Sequence, residues 1–155
     1  MQDELIKKLE KLKNINKEKN TSKERENNVL LKECIEALHD YGYVLDNEAE
    51  LSVYNNFKNT LIFTPWGIDW VGGKKLKNIK HIQFESELKE VCSKDNYYII
   101  WGKGLPIIRC GLNSIIKYLD DIRAVDADTW LFSTDYNEVI EFYHEGRITL
   151  GQIEI

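Results

Sequence analysis

Histidine, cysteine and paired carboxylates are the side chains able to carry chemistry at neutral pH, and here each is scarce or dispersed. His39, His81 and His144 form no HxH, HxxxH or HExxH arrangement, so local spacing predicts no metal site. His39 falls on the polar face of a predicted helix and His81 in a basic loop. His144 closes a predicted strand beside Glu145. An imidazole there has a suitable ordinary pKa for a general base, so one reading is a small enzyme using His144 with a neighbouring carboxylate. The plainer reading is a strand-end histidine next to a turn. Cys34, Cys92 and Cys110 are odd in number and contain no CxxC pair, which predicts neither a disulfide framework nor a zinc site and fits a reducing cytoplasm. No GxSxG elbow occurs. Gly72-Gly73 precedes Lys74-Lys75 without the spacing or trailing Ser/Thr of a phosphate loop. Asp120-Asp121 and Asp126/Asp128 could form acid/base pairs or hold a hard cation, although such acids more often cap helix ends and line loops. No catalytic residue, metal or cofactor is assigned on this basis.

Charge is segregated along the 155 residues. Residues 1–28 hold eight basic and six acidic side chains, a net of +2, which leaves −7 of the total −5 for residues 29–155. Residues 120–154 hold nine acids against Arg123 and Arg147, and residues 33–50 hold six acids and no base. Lys74, Lys75, Lys77 and Lys80 form a local basic run. The acidity argues against a duplex-DNA or anionic-membrane binder and suits a basic protein partner. No apolar window is long enough to span a bilayer, and the N-terminus lacks the apolar core of a signal peptide. Four tryptophans and eight tyrosines accompany the acids. Aromatics ringed by carboxylates suit a protein interface better than a single-stranded nucleic-acid platform, where bases would be expected around them.

The elements that must position these residues read as follows. Asp3 to Lys13 has helical apolar spacing, and residues 14–28 are almost wholly polar, which predicts a helix-plus-linker extension over residues 1–28. Leu30 to Tyr41 is a helix ended by Gly42. After a short strand or turn at Tyr43 to Leu45, Asp46 caps a second helix, Asn47 to Lys58, with Leu51, Tyr54 and Phe57 inward. Leu61 to Trp70, broken by Pro65 and Gly67, is either two short strands or one edge strand with a bulge. Phe84 to Cys92 is a short helix with Phe84, Leu88 and Val91 inward. Tyr97 to Trp101 is a central strand with Leu105 to Cys110 as its antiparallel neighbour, and Asn113 caps a helix through Asp121. Trp130 to Ser133, Glu138 to His144 and Arg147 to Gly151 form a meander, the last two joined by a turn at Glu145-Gly146. The expected fold is a single α+β domain over residues 29–155, a largely antiparallel sheet packed with helices.

Five segments, LLKECIEAL at Leu30 to Leu38, FTPWGIDW at Phe63 to Trp70, YIIW at Tyr98 to Trp101, LPII at Leu105 to Ile108, and VDADTWLFSTDYNEVIEFYHEGRITLG at Val125 to Gly151, resemble a family of bacterial immunity proteins. These protect a cell against the C-terminal toxin domain of a contact-dependent growth inhibition system or a related polymorphic toxin. The resemblance spans Leu30 to Gly151, leaving residues 1–28 outside it. It implies a cytoplasmic, non-enzymatic protein that binds a cognate toxin domain one-to-one and occludes its active site or substrate cleft. Many such toxins are nucleases with basic clefts, which an acidic inhibitor would meet with fast, steered association. The family supplies no catalytic residues. From charge and aromatic content, the expected toxin-binding ridge is Asp120, Asp121, Asp126, Asp128, Asp135 and Glu138, with an exposed Tyr136 as anchor. A scaffold or regulator of unknown ligand is the remaining alternative.

Overall fold

The computed structural model describes residues 4–7, 29–73, 75–102 and 104–154. Residues 4–7 are helical, with Leu5 and Ile6 exposed; the linker expected over residues 14–28 lies outside the described residues.

Among the described residues, nine strands form two antiparallel sheets. They are β1 (Gly42–Val44), β2 (Phe63–Thr64), β3 (Gly67–Ile68), β4 (Leu76–Ile82), β5 (Asn96–Ile100), β6 (Ile108–Gly111), β7 (Thr129–Ser133), β8 (Glu138–Phe142) and β9 (Ile148–Ile153). Seven lie in the order β1-β6-β5-β7-β8-β9-β4, and β2 pairs with β3 in a separate hairpin. Beyond residues 4–7, the helices of the described residues are α1 (Val29–Ala37), α2 (Asn47–Thr60), α3 (Leu88–Val91, entered through a 3-10 turn at Glu85–Glu87), α4 (Leu112–Lys117) and α5 (Leu119–Arg123).

Both faces of the large sheet are covered. Successive side chains on a strand point to opposite faces, and the inner strands sort accordingly. Ile99, Leu131 and Ile140 pack with Leu31 and Cys34 of α1, Leu38 just past its end, Leu88 of α3, Ile115 of α4 and Ile122 of α5. Their chain neighbours Ile100, Phe132 and Val139 pack with Val53 and Phe57 of α2 and Ile68 of β3. Every residue of β8 is therefore buried, although antiparallel strands commonly leave one face wet. The same double cover buries Thr149 of β9.

The hairpin and meander expectations hold: β5 pairs with β6 and β7, and β7, β8 and β9 follow as neighbours. Asp46 caps α2, its Oδ1 accepting from the Ala49 N–H at 2.8 Å. The alternatives for Leu61 to Trp70 resolve into two short strands.

Four details are corrected. The basic loop assigned to His81 is β4, an edge strand paired with β9. Only Ile82 of its seven residues is buried, so its pattern carries no alternation, and edge lysines are a common guard against unwanted strand pairing. Leu51 points outward at 61% exposure, because the buried stripe of α2 runs through Val53 and Phe57 to Leu61. Phe84 is likewise exposed, leaving Leu88 as the buried residue of its helix. Asn113 is not a cap: β6 runs directly into α4, whose first residue, Leu112, donates its N–H to the Asp95 carbonyl, and the helix breaks at Tyr118 before α5.

Candidate functional site

The expected acidic ridge divides in two. β7 runs from the Asp126/Asp128 loop to the Asp135 turn, and five residues of strand place these groups at opposite ends of the sheet, roughly 13 Å or more apart. At the first end, Asp120, Asp126, Arg123, Glu85, Thr129 and His144 surround an open hollow of about 460 Å³. The Asp126 carboxylate accepts from the N–H groups of Gly102 at 3.3 Å and Ala127 at 2.7 Å, so it shapes the loop as well as charging it. Asp121 is exposed on α5. Arg123 pairs with Glu85 and stacks over Phe142, which neutralises one charge of this end.

At the second end, Asp135 meets Lys94 at 2.8 Å and accepts from the Ser133 hydroxyl at 2.7 Å. Partial desolvation disfavours its charged form, but the Lys94 ammonium, the Ser133 hydroxyl and the Asn137 amide outweigh that and hold its carboxyl below the ordinary value. Tyr136 is half-buried rather than free: its ring stacks on Phe132 at 5.2 Å and on Tyr98 at 6.3 Å. Glu138 leaves the surface altogether, with no exposed area. Its carboxylate accepts from the Tyr97 hydroxyl at 2.5 Å and from the Ser93 N–H at 3.3 Å, and bonds the Ser93 hydroxyl. A buried carboxylate requires such donors, and Glu138 is one residue before the core position Val139.

A second buried carboxylate joins two of the segments that carry the family resemblance. Glu141 Oε1 accepts from Trp70 Nε1 at 3.0 Å; Oε2 accepts from the Ile68 N–H and from Trp130 Nε1, both at 2.8 Å. This clamps the β2–β3 hairpin to the sheet. Gly67, at φ +120°, lies so close that a Cβ would sit 2.6 Å from Oε2. Gly151 makes room for the Trp70 ring, which a Cβ there would approach to 2.7 Å. Gly67 and Trp70 of the WGIDW segment, Glu141 of VIEF and Gly151 of TLG thus form one structural joint. Sequence reasoning placed Glu138 on the surface ridge and gave Glu141 no role; the available signal was a charged residue in an apolar strand, which must find partners when buried.

A larger cleft, about 560 Å³, opens beside the first acidic end. Leu51 and Tyr54 of α2 form one wall, and Ile100, Trp101, Leu105 and Ile107 form the other, with Glu50 among the remaining lining residues. Gly102 lines this cleft and donates to Asp126, so cleft and acidic hollow share a border.

His144 Nδ1 lies 3.4 Å from Asp128 Oδ1, with both side chains nearly half exposed. Burial pushes the Cys34 thiol up to about 12, with the Asp121 charge adding to it. Burial likewise pushes Cys92 up to about 12, against a hydrogen bond with Tyr97. Thiols so raised stay protonated and unreactive at neutral pH. Among the described residues no group of three His, Cys, Asp or Glu is placed to hold a metal. Among them, too, no helix is long and apolar enough to cross a membrane.

No curated protein matches this chain. The family described as CdiI immunity protein EcoliA0-like matches it over residues 28–151, a span that runs from the start of α1 into β9 and takes in the whole hairpin clamp. The chain therefore belongs to the CdiI immunity protein family.

Proposed function

We propose that the chain acts in the cytoplasm as a non-catalytic inhibitor that binds the cognate toxin domain of a contact-dependent growth inhibition system one-to-one and covers its active site or substrate cleft. The partner is a basic domain, and a nuclease suits that description. Family membership supports toxin neutralisation. The observation that carries the choice of partner is the set of carboxylates at the Asp126 end of the sheet: Asp120 and Asp126 line one open hollow, Asp128 stands against its lining residue His144, and Asp121 is exposed on the adjoining helix, while Glu85 is matched by Arg123. A concave acidic surface attracts a basic partner and speeds its approach. Asp135 is already matched to Lys94, so it contributes less to that field. Two of the resembling segments, by contrast, build the hairpin joint.

Co-expression of this chain with the toxin domain encoded beside it tests the reading. Survival of the host together with co-purification of an equimolar complex is the expected result. Death of the host at equal expression, with the inhibitor folded, would refute it. His144→Ala should protect as well as the natural chain; loss of protection with the fold intact would instead favour the enzymatic alternative.

A further inference from the structure

The β2–β3 hairpin carries a tryptophan that the fold leaves outside. Trp66 stands in the turn between the two strands and is 74% exposed, beside the exposed Pro65. The other three tryptophans are taken up by the fold: Trp101 is buried in one core, and Trp70 and Trp130 pack against the other. Packing within the fold does not account for so large a ring left in water.

The turn that presents the ring is fixed twice. Thr64 Oγ1 accepts the Trp66 N–H at 3.1 Å and donates to the Gly67 carbonyl at 3.1 Å. One residue on, Gly67 lies against the Glu141 carboxylate, which also receives the Ile68 N–H and the Trp70 indole N–H. A tryptophan has two side-chain torsions, and on a backbone held in this way it loses little freedom when a partner covers it, which favours a strong anchor.

The place of the clamp says what covers the ring. Glu141 pairs with Trp130 near the start of β7, two residues along the chain from Asp128. The tip therefore springs from the same end of the sheet as the hollow lined by Asp120 and Asp126. Three cations of this region are engaged within the fold: Arg123 with Glu85, Arg147 over the Tyr143 ring at 4.7 Å, and Lys58 over the Phe63 ring at 4.1 Å. A partner drawn by the acids is basic, and tryptophan is the aromatic side chain that best takes an arginine or lysine over its face.

We propose that the hairpin tip is the anchor of the complex: Trp66 enters a cleft of the basic toxin domain, its ring against the arginine or lysine side chains that line it. The inference rests on the toxin-neutralising reading and divides the work of binding. The acids govern the encounter, and Trp66 governs how long the complex lasts, since rim charges act on association and desolvated anchors on dissociation.

The test measures association and dissociation of the purified full chain with the toxin domain encoded beside it. Trp66→Ala and Trp66→Lys should each dissociate at least about 30-fold faster, the scale of a lost interface anchor. Tyr43→Ala removes a ring that is 63% exposed on β1, at the far edge of the sheet, and should dissociate like the natural chain. Trp66→Phe should dissociate more slowly than Trp66→Leu, because only phenylalanine keeps a face for a cation; equal rates or the reverse order would overturn the cationic lining of the cleft. Thermal transitions within a few degrees of the natural chain exclude unfolding as the cause, and either Trp66→Ala or Trp66→Lys suffices should the other fail to fold. Natural dissociation rates in these folded variants would overturn the anchor while leaving neutralisation intact. Failure of the natural chain to bind would overturn neutralisation itself. Self-association of the isolated chain, abolished by Trp66→Ala with toxin binding unchanged, would assign the tip to a second copy and overturn the proposal.

Discussion

Replacing Glu141 by glutamine keeps the shape of the side chain and tests the joint between hairpin and sheet. Oε2 accepts two N–H groups and Oε1 one. The amide is therefore best placed with its NH2 at the Oε1 position, where it meets the Trp70 indole N–H donor against donor. One buried donor loses its partner, and the two surviving bonds lose their charge assistance. An unsatisfied donor costs about 1–3 kcal/mol, and charge-assisted bonds exceed neutral ones by about 1 kcal/mol each. Easier desolvation of a neutral amide offsets part of this, which leaves a net loss of about 2 kcal/mol. For a chain of this size that lowers Tm by roughly 4–8 °C. Urea unfolding followed by circular dichroism, with tryptophan fluorescence as a second probe, measures the change. Trp70→Phe in the Glu141→Gln background removes the orphaned donor, so the double variant should be at least about 1 kcal/mol more stable than the sum of the single losses predicts. A Glu141→Gln loss below about 0.5 kcal/mol, or strict additivity in the cycle, would refute the clamp as a source of stability.

Charge reversal at Asp120 and Asp128 should slow association with the toxin domain about tenfold or more at low salt and flatten its salt dependence; unchanged association rates would make these acids ordinary surface. Those two are the better probes because Asp126 also holds the Gly102 and Ala127 amides. Tyr136→Ala should lower stability by about 1–2 kcal/mol through loss of its stacked ring, as read from urea midpoints. Tyr136→Gly should recover a few tenths of a kcal/mol relative to alanine, because the backbone there has φ +62°. Alkaline pH should destabilise the fold. Cys34 and Cys92 are raised from 9.0 to about 12, so their contribution is complete below pH 9 and is lost as pH rises from 9 to about 12, where the unfolded chain releases protons that the folded chain retains. A urea midpoint that stays flat from pH 8 to 10 would contradict this.

Local signals were legible in the chain itself. The Glu145-Gly146 turn between two apolar runs determines the β8–β9 hairpin, Asp46 three residues before the Ala49 amide determines the start of α2, and YYII is apolar enough to mark an inner strand. Each depends on residues within a few positions of one another, where backbone geometry leaves few choices. The resemblance to the family was legible in segments that hold Gly67, Trp70, Glu141 and Gly151, which the fold brings into one joint. What tertiary structure decided was every property set by distant partners. β4 is a strand because β9 lies beside it, about 70 positions away. Glu138 and Glu141 are buried because donors from Ser93, Tyr97, Ile68, Trp70 and Trp130 converge on them, so two members of an apparent acidic stretch left the surface. Asp126 and Asp135, nine positions apart, lie at opposite ends of the sheet because an extended strand separates them, whereas Glu50, Leu105 and Asp126 lie together at one end because α2, the loop before β6 and the loop before β7 meet there. Charge along a chain is a one-dimensional quantity; a binding surface forms only where folding brings remote side chains to the same side of the core.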